Sequence, residues 1–151
     1  MQNIKSTLDK KNRDELITKI KTLNENSTAQ WGKMNVYQMI KHCRLWEEMI
    51  FGEIKCKQTF IGRLVGKVVL KGLIKDEKPL KRSTPTAAEL RVIENNGDIA
   101  SERTKWIALI EGNADSLTAS FIHPFFGKMT KEEIGILAYK HIDHHLKQFN
   151  S

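Results

Sequence analysis

A bundle of α-helices is the architecture the sequence predicts, on three observations. Long stretches carry apolar side chains at helical spacing, three of them open with a capping signature, and no long run alternates apolar and polar residues as a half-buried strand does. With 151 residues, 40% hydrophobic and 28% charged, the chain has the size of one ordinary domain and can bury roughly 68–70% of its unfolded surface. A single domain over residues 1–151 is expected, and disordered or fibrous classes are excluded.

Asn12 stands three positions before Glu15, the spacing of an N-cap with its reciprocal acceptor, and Leu16, Ile17, Ile20 and Leu23 follow on one face. A first helix is expected over roughly 12–24. Asn35-Val-Tyr-Gln38 repeats the signature, and Val36, Met39, Ile40, Cys43, Trp46, Met49 and Ile50 line about one face of a second helix over roughly 35–52. Residues 58–74 are apolar at helical spacing, but Gly62, Gly66 and Gly72 weaken the pattern, so a packed, partly helical connector is expected. Thr84 or Thr86, beside Pro85, can cap a third helix that continues to Glu111, unless Asn95-Asn-Gly97-Asp98 divides it. A short extended piece is expected within 117–122, then an aromatic loop, His123-Pro-Phe-Phe-Gly127. Thr130-Lys-Glu-Glu133 is a capping box that opens a fourth helix reaching about Phe149.

Twenty-five Lys and Arg against eighteen Asp and Glu leave a net charge of +7. The basic residues are spread along the chain, as on a solvated surface. No helix-turn-helix, zinc finger or aromatic-basic sheet motif accompanies the stretch holding Lys67, Lys71, Lys75, Lys78, Lys81 and Arg82, so no specific nucleic-acid partner is expected. Cys43 and Cys56 form no disulfide framework, and no charged start leads into an apolar run, which points to the cytoplasm. Residues 64–74, the longest apolar stretch, are interrupted by Gly66, Lys67, Lys71 and Gly72 and fall short of the ~20 residues of a membrane span. No membrane partner is expected.

The histidines carry the chemistry. His42 lies on the second helix, His141, His144 and His145 on the fourth, and His123 in the aromatic loop. His141 and His145 fall within about 20° of the centre of the buried stripe, with His144 on its edge and Asp143 facing away. Two imidazoles at i and i+4 can offer two nitrogens to one cation, and one ligand from a facing helix would complete a site. His42 can supply it, although it lies about 70° from the centre of its own apolar stripe and points at a helix seam. The alternative is a set of buried histidines satisfied by backbone carbonyls. Cys43 is either a soft ligand or nucleophile or a small core side chain, and its place in the core stripe favours the latter. Gln148 is the polar group best placed to orient a ligand, or it caps the helix end. Phe125 and Phe126 either line the mouth of a site or anchor the core.

Three segments, Trp31-Gly-Lys-Met-Asn-Val-Tyr-Gln-Met-Ile-Lys-His42-Cys43, His123-Pro-Phe-Phe-Gly127-Lys-Met-Thr-Lys-Glu-Glu and Tyr139-Lys-His141-Ile-Asp-His-His145-Leu-Lys-Gln148-Phe149, resemble the DUF1569 branch of the DinB/YfiT-like superfamily. The resemblance implies a four-helix bundle with up-down-down-up connections and an open divalent-metal site, nickel or zinc, held by His42, His141 and His145. It also implies metal-dependent thiol S-transferase or isomerase-like hydrolase chemistry with a low-molecular-weight thiol such as bacillithiol or mycothiol, a chemistry known for some members only. The expected partners are therefore a small thiol or electrophile and a second copy of the chain. A non-catalytic, stress-related binding bundle with vestigial histidines is the competing class, and residues 53–83 name no substrate.

Overall fold

A computed structural model describes residues 3–117 and 121–151 of the chain. It is mostly helical: α1 (Lys10–Ile20), α2 (Val36–Ile50), α3 (Phe60–Ile74), a 3-10 turn at Ala88–Leu90, α4 (Ile99–Ser116), a two-residue ladder of β1 (Ile122–His123) and β2 (Gly127–Lys128), and α5 (Lys131–Gln148). The strands pair antiparallel with Ile122 opposite Lys128. No helix among the described residues is long and apolar enough to cross a membrane.

Two apolar clusters organise the interior. The first draws Leu16 and Ile20 from α1, Met39, Ile40 and Cys43 from α2, Trp106 and Ile110 from α4, and Ile142 and Leu146 from α5. The second joins Trp46, Met49 and Ile50 of α2 to Leu70 of α3, Phe126, Met129, and Ile134, Leu137 and Ala138 of α5. Apolar burial at about 25 cal/mol per Å2 makes these clusters the main stabilising term. On α2 the change from one cluster to the other falls between Cys43 and Trp46, and on α5 it falls just before His141.

Two helix ends form as their caps predict. Asn35 and Gln38 make a complete capping box on α2, as do Thr130 and Glu133 on α5. The first helix starts earlier than expected, at Lys10, because the Asp9 carboxylate accepts from the Lys11 amide at 2.8 Å while Asn12 instead donates to the Ser6 carbonyl at 3.0 Å.

Residues 60–74 correct the expectation of a partly helical connector, because they form an unbroken α-helix capped by Thr59. Two of their three glycines serve packing. A Cβ on Gly62 would stand 2.4 Å from the Phe125 carbonyl oxygen and one on Gly66 only 2.2 Å from it, so α3 lies directly on the backbone of the aromatic loop. The third predicted helix is also corrected. Neither Thr84 nor Thr86 caps a long helix; a single 3-10 turn follows, then extended chain, and α4 begins at Ile99 with Asp98 as its N-cap. The break is fixed by packing as well as composition, since a Cβ on Gly97 would collide with the Tyr37 ring at 2.3 Å, and Asn35 donates to the Asn95 carbonyl at 2.6 Å. The aromatic loop closes the small ladder, which sequence patterning does not signal at two residues a side. Of the extended piece expected within 117–122, residues 118–120 lie outside the described residues.

Gly66→Ala is expected to cost about 1–3 kcal/mol in chemical denaturation, because backbone must move to admit the methyl group. Gly72→Ala, with nothing within 4 Å of its new Cβ, should instead stabilise by roughly 0.5–1 kcal/mol through helix propensity.

Candidate metal centre

His141 and His145 lie one helical turn apart on α5, and α2 brings His42 against both. Ring centroids are 5.2 Å apart for His42 and His141, 5.0 Å for His42 and His145, and 4.7 Å for His141 and His145. One ring nitrogen of each lies within 4.8 Å of the others. His42 and His145 are buried, and His141 keeps a partly exposed edge.

The outer partners assign the proton on two rings. His42 Nδ1 faces the Leu90 carbonyl at 3.0 Å and must donate to it, so its Nε2 carries the lone pair. That carbonyl is free because the 3-10 turn ends at Leu90 and no helix follows to use it. His145 Nδ1 lies 2.8 Å from Gln148 Oε1, while Gln148 Nε2 donates to the Trp31 carbonyl at 2.9 Å, which fixes the amide's orientation and places the His145 proton on Nδ1. Gly32, at φ +81° with its missing Cβ 2.7 Å from Gln148 Nε2, lets the chain approach this closely. His141 is held differently: its ring stacks on Trp46 at 4.6 Å, and its buried Nδ1 has no hydrogen-bond partner among the described residues.

The arrangement fits a cation. His42 Nε2 and His141 Nε2 are 3.2 Å apart, close to the roughly 3.3–3.4 Å between two nitrogens bound at about 2.0–2.1 Å in a tetrahedral shell. Two of the three imidazoles thus present lone pairs inward with their protons tied outward, the usual arrangement of ligating histidines. His141, with its unpartnered Nδ1, departs from that pattern.

Burial also keeps the rings neutral. It lowers the pKa of His42, against which the Leu90 carbonyl works, and pushes His145 down to about 3 with help from the neighbouring His42. His141 lies well below its ordinary value, again through burial first and then through His145 and His42. A neutral imidazole is the form that binds a metal.

The remaining candidates separate clearly. His144 is half-buried, edge-on to Trp31 at 5.6 Å, and is not among the three grouped nitrogens. His123 serves the loop: its Nδ1 accepts from the Phe125 and Phe126 amides, both at 3.1 Å, and its ring stacks on Phe126. Phe126 is buried in the second cluster with Phe125 packed against it, so the pair anchors the core. Cys43 is 1% exposed, with its Sγ 3.8 Å from Met39 Sδ, and burial holds its pKa well above the ordinary thiol value. Gln148 orients His145 rather than His141. Leu90 and Trp46 carry no sequence signal as site residues, since a backbone carbonyl and a stacking indole leave no motif.

The fold and site define a helical protein with a buried three-histidine cluster compatible with a metal ion. Over residues 2–151 the chain matches the family described as Protein of unknown function (DUF1569), and it belongs to that family. No curated protein and no solved structure matches it.

Because His123 and His145 titrate near 4 and 3 when folded against an ordinary value of 6.5, the unfolded chain binds more protons below pH 6.5. Metal-free protein should therefore lose stability as pH falls from 6.5 toward 4, by about 1.4 kcal/mol per pH unit for each such histidine, as read by urea denaturation across that range. A thiol reagent should label the half-buried Cys56 in the folded protein and reach Cys43 only on unfolding.

Proposed function

We propose that this chain is a divalent-metal-binding member of the DinB/YfiT-like superfamily, one domain folded as a four-helix bundle of α1, α2, α4 and α5, with α3 as the added connector. His42, His141 and His145 would hold nickel or zinc. The observation that carries the reading is the convergence of three neutral imidazoles, two of them with the outer proton engaged. Such an ion, with three neutral protein ligands and an open position, supplies Lewis acidity that lowers the pKa of a coordinated water or thiol.

The chain's own part is positioning. Leu90 and Gln148 set two rings, Trp46 sets the plane of the third, and the apolar clusters on either side keep the surroundings dry. Among the described residues no carboxylate is grouped with the three histidines, so the charge of an ion there would stay largely uncompensated and favour an anionic fourth ligand. A low-molecular-weight thiol bound as thiolate is the substrate class the resemblance adds. The chain's own thiols do not compete for that role, because both are held protonated: burial raises Cys43, and burial and Glu89 raise Cys56. The non-catalytic reading keeps one supporting feature, the unpartnered His141 Nδ1.

Elemental analysis of protein purified without a histidine tag should find about one nickel or zinc per chain. His141→Ala and His145→Ala should each abolish uptake and His42→Ala should weaken it, whereas His144→Ala retains it. Gln148→Ala should weaken metal affinity about 10–100-fold by freeing the His145 ring. Wild-type protein that takes up no ion and is not stabilised by added zinc or nickel would favour the non-catalytic bundle.

A further inference from the structure

The sequence of α3 divides into four rows at i, i+4 spacing. Gly62, Gly66 and Leu70 form the buried row, seated on the Phe125–Phe126 backbone. Phe60, Leu64 and Val68 form a second row, 75%, 68% and 75% exposed, and Ile61, Val65 and Val69 form a third that is also exposed. Arg63, Lys67 and Lys71 form the fourth, between the buried row and the Phe60 row, the C-cap Lys75 continues it, and all four are exposed.

This apolar face cannot turn inward. Rotating α3 would drive side chains into the loop backbone where Gly62 and Gly66 leave no room, and the Thr59 amide donates to the Pro124 carbonyl at 2.8 Å. At the other end the Lys140 ammonium donates to the Leu73 and Asp76 carbonyls, and on the flank the Lys67 ammonium donates to the Lys128 carbonyl. Six large apolar side chains on one fixed helix face exceed the scattered exposure that soluble monomers show.

We infer that the exposed face of α3 is a docking surface for an anionic lipid bilayer, on which the helix lies flat without crossing. Charge decides between occupants. The helix carries three cations, followed by Lys75 as its C-cap, and no acidic residue, with Asp76 and Glu77 the first beyond that cap, in a chain of net charge +7. A row of Lys and Arg beside a broad apolar face is the pattern of interfacial helices, where the stems snorkel and the charges meet lipid phosphate and carboxylate. A second copy docked on this face would bring three helix cations and the C-cap Lys75 from each copy to one interface, with no carboxylate on either helix to pair them, against the depletion of Lys in interface cores. The inference is independent of the metal reading and departs from the expectation of no membrane partner.

Flotation of the full chain with vesicles tests it. The chain should float with phosphatidylcholine containing about 30% phosphatidylserine at about 0.1 M salt, at least tenfold more strongly than with phosphatidylcholine alone, and be released near 0.5 M salt. The double variant Leu64→Glu/Val68→Glu should lower binding tenfold or more with an unchanged helical spectrum. Lys71→Gln/Lys75→Gln should lower it at least fivefold and remove the preference for anionic lipid; this pair decides the matter if the apolar variant unfolds. Absence of wild-type binding to the anionic vesicles, or binding indifferent to both variants, overturns the inference. So does a dimer in sedimentation equilibrium that Leu64→Glu/Val68→Glu dissociates, which would assign the face to a second copy.

Discussion

Three imidazoles share a buried seam between α2 and α5, and such rings are stable there only if uncharged and, as far as possible, hydrogen-bonded. Much of the surrounding chain serves that requirement. The 3-10 turn ends where the Leu90 carbonyl can receive the His42 proton, and the Trp31–Gly32 turn orients Gln148 so that its oxygen receives the His145 proton. With those two protons turned outward, lone pairs point into the centre. His141 is held chiefly by stacking on Trp46, which leaves its Nδ1 as the unfinished part of the arrangement.

The same economy links the site to the periphery through α5. Lys140, adjacent to His141, ties the end of α3, while the glycine row of α3 rests on the loop whose Phe126 fills the second cluster. Arg44 on α2 bridges Glu48 and Glu102, joining α2 to α4 beside the seam. The helices are therefore fixed by polar contacts at their ends and apolar contacts along their length, and the histidines sit where the two apolar clusters abut.

The helical class and both capping boxes were readable because their signals are local: a cap and its reciprocal side chain lie three residues apart. The inward pair His141 and His145 was readable from periodicity alone, as was the core position of Cys43. Helix α3 is less legible, since glycine propensity argues against a helix and the contacts of Gly62 and Gly66 with Phe125 are not local in sequence. Likewise the division before α4 depends on Tyr37 filling the space beside Gly97, a contact between residues 60 positions apart. Leu90 acts through its backbone and Trp46 through its ring face, so neither belongs to any spacing pattern. Gln148 is legible as a partner, but helical periodicity does not tell which histidine it meets, because its reach depends on the Trp31 carbonyl.

The most direct measurement is X-ray absorption spectroscopy of the untagged protein loaded with one equivalent of zinc or nickel. The expected result is a coordination shell of three imidazole nitrogens at about 2.0–2.1 Å and one further light atom for zinc, with one imidazole lost when His42 is replaced by Ala. A shell with no imidazole contribution, or one unchanged by His42→Ala, would contradict it.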